Sequence, residues 1–363
     1  MTKSVVIYGG GQAGVKLAKE LEEVASVTLV SPLDYYEVPM ALPRNLVEPD
    51  FAQRALVPLT EALPKAQLIQ GQLTGFEEGT GTVQLTNGEA MQVTADVSVL
   101  ATGSRYATEL TRAQSGNRDS RMAQFQDTAE ALQQAQRILI VGGGAIGVEL
   151  AGEILQDMPG KDITLVESSA GLLPGTSRKV AATARDHLQK GGVTLRFNDR
   201  VIEPAFGETP AGGVAKTAAG EELPFDLIFW AVGGRPNTSF LPSEALTGEG
   251  RIPVDDFLRM QGRDDIYVLG DIAALEEAKK AIYVNSHIKV ASKNIRATLK
   301  GEAPKARYKA QTGNDIMLVT LGRNGGVAHL PGIGRITTGW LIRMFKARDM
   351  LVGMTRKALK LAA

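Results

Sequence analysis

The chain has 363 residues, 44% hydrophobic and 22% charged, which is a length for two or three domains and the composition of a globular protein. It contains no cysteine, so disulfides, thiolate metal sites and thiol catalysis are excluded, and no run approaches the roughly 18 consecutive apolar residues of a membrane span. The net charge is zero but uneven: from Lys279 onward there are 17 Lys and Arg against three acids, so an acidic body precedes a basic C-terminal face.

The first predicted unit is strand, Gly-rich loop and helix: an apolar run Ser4 to Tyr8, then Gly9-Gly10-Gly11-Gln12-Ala13-Gly14, then helical spacing from Val15 to Glu23. A short buried strand, Val27 to Val30, completes a βαβ unit. Gly71 to Val99 reads as β-rich, with a turn at Asn87-Gly88 and a buried strand from Val97 to Leu100, and Ala101-Thr102-Gly103 closes it. Gly103 to Arg121 is polar and reads as a connection.

The same sentence is then written again. Arg137 to Val141 is a strand, Gly142-Gly143-Gly144-Ala145-Ile146-Gly147 the loop, Val148 to Gln156 the helix and Asp162 to Val166 the second strand. A second β-rich stretch, Thr194 to Trp230, is closed by Ala231-Val232-Gly233-Gly234-Arg235-Pro236-Asn237. Asp265 to Leu269 is a further strand running into Gly270-Asp271, and a helix begins near Ala281. Gly301 to Arg307 reads as a linker to a small basic domain.

Gly9, Gly11 and Gly14, and likewise Gly142, Gly144 and Gly147, stand at the spacing that cradles a dinucleotide pyrophosphate against a helix start. One such match is weak, whereas two, each between an apolar strand and a helix, are strong. After the second loop, Glu167 ends the strand; it suits both ribose hydroxyls and would repel a 2′-phosphate, so NADH is expected there rather than NADPH. After the first loop Ser31 stands where an acid is expected, with Asp34 as a substitute from the next turn. The first site is assigned to FAD. Asp271, after the strand 265–269, suits a flavin's ribityl chain or phosphate.

These landmarks make the chain resemble the pyridine nucleotide–disulfide oxidoreductase superfamily over nearly its whole length. Within it, the chain resembles the ferroptosis-suppressor-protein and apoptosis-inducing-factor-2-like group, plant and bacterial members above all. Tyr35 to Pro49, Leu321 to Val327, Lys346 to Gly353 and Thr355-Arg356-Lys357 carry that resemblance. It implies an α/β fold of two Rossmann-like dinucleotide-binding domains with a smaller α+β C-terminal domain: FAD on residues 1–105 and 250–300, NADH on 106–249, and 301–363 over the flavin. It implies electron transfer from NADH through FAD to a quinone of ubiquinone or menaquinone type. Ser31, Arg44, Ala101, Thr102, Gly103, Gly233, Gly270, Asp271 and Ala281 are expected cofactor contacts beside the loop glycines and Glu167. Glu149 and Lys346 are the candidate catalytic residues, Glu149 from the first turn of its helix beside the nicotinamide, Lys346 at the flavin and quinone end.

Departures from relatives narrow the chemistry. Without cysteine, neither a flavin-coupled disulfide nor sulfide uptake is available. The Ala-Gln-x-Ala-x-Gln helix of membrane NADH dehydrogenases is replaced by Ala281-Ile282-Tyr283-Val284-Asn285-Ser286-His287, and Thr2 stands where myristoylation needs Gly. No metal constellation and no nucleic-acid signature is seen, His287 reads as structural, and a cytoplasmic protein is expected. Trp340, Leu341, Met344 and Phe345 share one face near Arg343, Lys346 and Arg348, which suits a peripheral membrane contact, core packing or a homodimer contact. Two alternatives stay open: reduction of an acidic protein such as a ferredoxin, and slow NADH sensing.

Overall fold

The computed structural model describes residues 3–312, 316–330, 334–337 and 342–362, with Phe345 described by its backbone alone. A seven-stranded sheet runs in the order Ile266–Val268, Val97–Leu100, Ser4–Tyr8, Ser26–Ser31, Gln67–Glu77, Thr80–Leu85, Ala90–Val93. The first five strands are parallel; the last two return as antiparallel hairpins. Ser4–Tyr8 lies in the middle, with Ile7 opposite Leu29 and Val99, and Val5 through Tyr8 are fully buried. That is why the strand reads as an unbroken apolar run: a parallel strand covered on both faces leaves no polar side.

The second sheet is all parallel, Thr194–Phe197, Asp162–Glu167, Arg137–Val141, Leu227–Trp230, so the βαβ unit and its returning strand recur in the same order around the loop. The chain is thus an α/β protein with two Rossmann-like units. Here the repeat stops. The first β-rich stretch adds its hairpins to the parallel sheet, whereas the second forms a separate antiparallel sheet, Val201–Glu203, Gly213–Thr217, Glu222–Phe225. Between the two units runs a two-stranded antiparallel ribbon of Ser104–Tyr106 and Gly233–Pro236.

The 103–121 connection is more ordered than its composition suggests. It carries one strand of the ribbon and opens a helix, Arg118–Gln134, through a reciprocal cap in which Asn117 accepts from the Ser120 N–H and Ser120 from the Asn117 N–H. The C-terminal part folds as a three-stranded antiparallel sheet, Met317–Thr320, Gly326–Leu330, Gly334–Ile336, then a π-helical turn Arg343–Ala347 and a helix Val352–Ala358. It does not stand apart. One hydrophobic cluster joins Tyr35, Leu42 and Leu46 from the first unit, Ile138, Val148 and Leu165 from the second, and Val319, Leu321 and Val327 from the C-terminal sheet.

Candidate functional site

The two loops are built alike, down to single atoms. Gly9 donates to the Val30 carbonyl at 2.8 Å, and Gly142 to the Val166 carbonyl at 2.8 Å. Both have positive φ, +127° and +111°, which only glycine adopts without strain. A Cβ on Gly14 would lie 1.9 Å from the Gly9 carbonyl oxygen, and one on Gly147 2.0 Å from that of Gly142. Neither could be relieved by a side-chain rotation, so these glycines set how closely helix and strand approach. Gly11 and Gly144 are the opposite case: a Cβ there would meet nothing within 4 Å.

Each of these two open glycines is the N-cap of its helix, Gln12–Leu21 and Ala145–Asp157, with no side-chain cap and no acid in the first turn. The helix-start N–H groups are therefore left to an anion from outside, and the empty space beside each open glycine is where a pyrophosphate fits. The helices begin three residues earlier than the apolar spacing predicts, because the loop glycines themselves enter the first turn.

An open cleft of about 920 Å³, a figure that includes solvent at its mouth, lies over the first loop. Gly9, Gly10, Gly11, Ser31, Ala101, Thr102 and Gly103 line it, together with Glu37, Arg112, Gln114 and Asn237. The two closing segments meet here: Thr102 Oγ1 donates to the Asn237 carbonyl at 2.6 Å, and the Asn237 N–H to that of Gly103 at 2.8 Å. Buried Gln12 donates through Nε2 to the Ala281 carbonyl at 2.8 Å, while its Oε1 has no partner in the protein. An open glycine, bare helix N–H groups and an unpaired buried amide oxygen are what a bound dinucleotide would complete, so the cleft fits FAD.

The residues that end the strands Ser26–Ser31 and Asp162–Glu167 differ between the two units. Glu167 is buried and its carboxylate accepts from the Gly143 N–H at 2.6 Å, the Ser169 N–H at 2.7 Å and Ser169 Oγ at 2.8 Å. Burial raises its pKa, but these donors outweigh burial and hold it below the usual carboxylate value. Ser31 stands at the matching station, and a Cβ on Gly10 would come within 2.3 Å of its hydroxyl. That hydroxyl donates to the Leu33 carbonyl at 2.8 Å, closing the turn on itself. Asp34, the substitute from the next turn, is exposed, accepts from the Arg118 N–H at 2.8 Å and is not among the residues lining the cleft.

Other expected contacts fall in varied places. Asp271 accepts from Ser104 Oγ at 2.8 Å, and Gly270 donates to His287 Nδ1 at 3.2 Å; neither is among the residues lining the cleft. Gly233 packs on the ribbon, where a Cβ would meet Tyr106 Cα at 2.6 Å. His287 belongs to a buried network: Nε2 lies 2.7 Å from Glu277 Oε1, and Tyr308 donates to Glu277 Oε2 at 2.5 Å.

Arg44 is not among the residues lining the cleft. Expected as a cofactor contact, it is buried and forks onto Glu153 through Nε and Nη2, with Nη2 also donating to the Ala347 carbonyl at 3.0 Å. Glu149 and Lys346, 197 positions apart, do meet. Lys346 Nζ donates to Glu149 Oε1 and, at 3.1 Å, to the Leu318 carbonyl; the same Glu149 oxygen accepts from the Thr320 N–H at 2.8 Å. Both side chains are buried. Glu149 lies in the second turn of its helix, not the first, and faces the C-terminal sheet.

Sequence reasoning missed Glu153, Arg112 and Gln114. A signal existed for the first: Glu149, Glu153 and Asp157 repeat every four residues on a helix whose only other polar side chain is Gln156. At the C-terminal face, Met344 is 59% exposed beside exposed Arg343 and Arg348, while Trp340 and Leu341 lie outside the described residues. Among the described residues no cluster of three metal-ligating side chains is found, and no helix is long and apolar enough to cross a membrane.

Comparison with known proteins agrees with this construction. Residues 3–294 match the family described as pyridine nucleotide-disulphide oxidoreductase. Ferroptosis suppressor protein 1 of Xenopus tropicalis is 31% identical over 97% of this chain and 95% of its own. A protein of Flammulina velutipes named FAD-dependent oxidoreductase FVFD30 is 31% identical over 84% of this chain and 95% of its own. The structure of NDH2 from Plasmodium falciparum in complex with NADH superposes with a TM-score of 0.71 over 98% of this chain and 97% of that one; at 13% identity it shows the fold alone.

Proposed function

The chain belongs to the pyridine nucleotide-disulphide oxidoreductase family and is an FAD- and NAD(P)H-dependent oxidoreductase, and from that premise we propose that it oxidises NADH and delivers the two electrons to a quinone. The observation that carries the proposal is the buried Glu149–Lys346 pair, in a sequence with no cysteine. The pair joins the helix of the second loop to the C-terminal segment, and no thiol is available to relay electrons in between.

Bound FAD supplies the two-electron chemistry that protein side chains lack. On this reading residues 1–105 and 250–300 hold it, with the first-loop N–H groups on its pyrophosphate. Residues 106–249 hold NADH, and 301–363 cover the acceptor end. Glu167 takes the ribose hydroxyls and turns away a 2′-phosphate by like charge, which makes NADH the donor. Reducing a quinone consumes two protons, and Lys346 holds one at Nζ, hydrogen-bonded to Glu149. The exposed Met344 with Arg343 and Arg348 suits a lipid quinone approached from a membrane surface.

NADH oxidation by the purified flavoprotein, with and without short-chain ubiquinone and menaquinone analogues, tests the reading. Strong acceleration by a quinone, with NADPH a poor donor, supports it. Flavin bleached by NADH that no quinone reoxidises faster than air would end it. One feature favours a second acceptor: the basic C-terminal face suits an acidic protein such as a ferredoxin, and turnover with ferredoxin alone, falling with salt, would select that reading.

A further inference from the structure

The helix Ala145–Asp157 presents three acids on successive turns, and each meets a cation from outside its own domain. Glu149 pairs with Lys346, Glu153 with Arg44, and Asp157 with Arg323, whose Nη1 also reaches Glu48 at 2.8 Å. The Glu153 side chain is fully buried and that of Arg44 is 1% exposed. A buried pair of this kind adds little net stability over apolar groups of the same size, so stability alone does not explain its presence.

Arg44 does more than neutralise Glu153. Its Nη2 donates both to Glu153 Oε1, at 2.9 Å, and to the carbonyl of Ala347, at 3.0 Å. Ala347 is fully buried and follows Lys346 in the π-helical turn Arg343–Ala347, a local widening of the helix often found at functional positions. Lys346 is therefore held at two ends. Glu149 and the Leu318 carbonyl fix its ammonium group, and Arg44, anchored one turn further along the same helix, holds the backbone of the next residue, Ala347.

We propose that Arg44 is a positioning residue for Lys346: clamped by Glu153, it holds the Ala347 carbonyl so that the Lys346 ammonium stays on Glu149. This rests on the reading of Lys346 as the proton-holding group of the acceptor end. A planar guanidinium can span both acceptors with a fixed fork, whereas a lysine ammonium at the same position is a point charge on a flexible stem.

The test uses the FAD-loaded full chain with NADH and a short-chain ubiquinone analogue. K346M lowers kcat about tenfold or more and leaves KM for NADH unchanged. R44M/E153M, which removes both buried charges together, keeps its FAD and its melting temperature, yet lowers kcat to within about threefold of K346M. Adding K346M to that pair costs less than about twofold more, because both changes disable one unit. R44K keeps the charge opposite Glu153, loses the bridge to Ala347 and shows the same loss, so it carries the test if R44M/E153M fails to fold.

Unchanged quinone turnover in R44M/E153M or R44K, with K346M impaired, overturns the positioning role and leaves the reading of Lys346 standing. Losses that multiply in the triple variant overturn it too. Unchanged turnover in K346M itself removes the role of Lys346, and the positioning proposal with it.

Discussion

The paired glycines allow the cofactor assignment to be tested by adding single methyl groups. In the second loop, Gly144→Ala places a Cβ where nothing lies within 4 Å, at φ −70°, a conformation open to any residue. Folding is then nearly indifferent: the entropic gain of replacing glycine and the poorer N-cap offset each other within about 1 kcal/mol. The methyl does occupy the space meant for the pyrophosphate, and a loss of about 1.4 kcal/mol or more in binding raises KM for NADH about tenfold or more.

Gly147→Ala behaves differently, because its Cβ would lie 2.0 Å from the Gly142 carbonyl oxygen, more than an ångström inside van der Waals contact. Both atoms are fixed to backbone, so helix and strand must separate at a cost of about 1–3 kcal/mol, and the melting temperature falls by several degrees. Gly11→Ala and Gly14→Ala repeat the contrast in the first loop, with FAD content as the readout in place of KM. Flavin absorbance, thermal melts and NADH kinetics on the four variants suffice. FAD lost from G144A with normal FAD in G11A would reverse the assignment. An unchanged KM for NADH in G144A would refute the claim that this loop carries the phosphates.

Three further outcomes are expected. Replacing Glu167 by Gln removes the charge facing the ribose, so the ratio of kcat/KM for NADH over NADPH falls about tenfold or more; an unchanged ratio would clear Glu167 of any part in donor choice. Burial raises the Glu277 carboxyl, but His287, Tyr308 and the Gln311 N–H outweigh burial and depress it. Its contribution to stability is therefore complete above the unfolded carboxylate value of about 4.3 and is lost as pH falls through the lower folded value. Melting followed over pH 2 to 7 shows Glu277→Gln to be less stable at neutral pH and flatter on the acid side. Finally, if the C-terminal face meets anionic lipid, flotation with phosphatidylserine vesicles is weakened by Met344→Glu and by salt, while turnover with a water-soluble quinone is unaffected.

Local pattern carried most of the architecture. The strands Ser4–Tyr8 and Arg137–Val141 were legible because a strand covered on both faces is continuously apolar, and the loops because backbone approach leaves no substitute for glycine. Helix starts were displaced, since an N-cap glycine carries no apolar signal. The short elements between Tyr35 and Ala62 escaped notice, as each is too brief for a period to develop. At the site, residue types were legible but partners were not. Glu149 and Lys346 stood out singly, yet nothing in the linear pattern joins them. The Glu153 partner of Arg44 was not legible, because an arginine that serves a buried carboxylate reads the same as one that serves a phosphate.

The shared hydrophobic cluster bears on how this molecule can be engineered. Leu42 and Leu46, Ile138 and Val148, and Val319 and Val327 form one interior, contributed by three distant stretches of chain. Residues 106–249 expressed as a separate cassette would leave an apolar wall bare to water and would invite self-association. Grafting the acceptor-end segment of a relative onto this scaffold would likewise have to carry along the matching residues of the short helix Leu42–Val47 and the longer helix Ala145–Asp157. Exchange among such proteins therefore succeeds by whole interlocking surfaces, and a cut made only at the linkers fails.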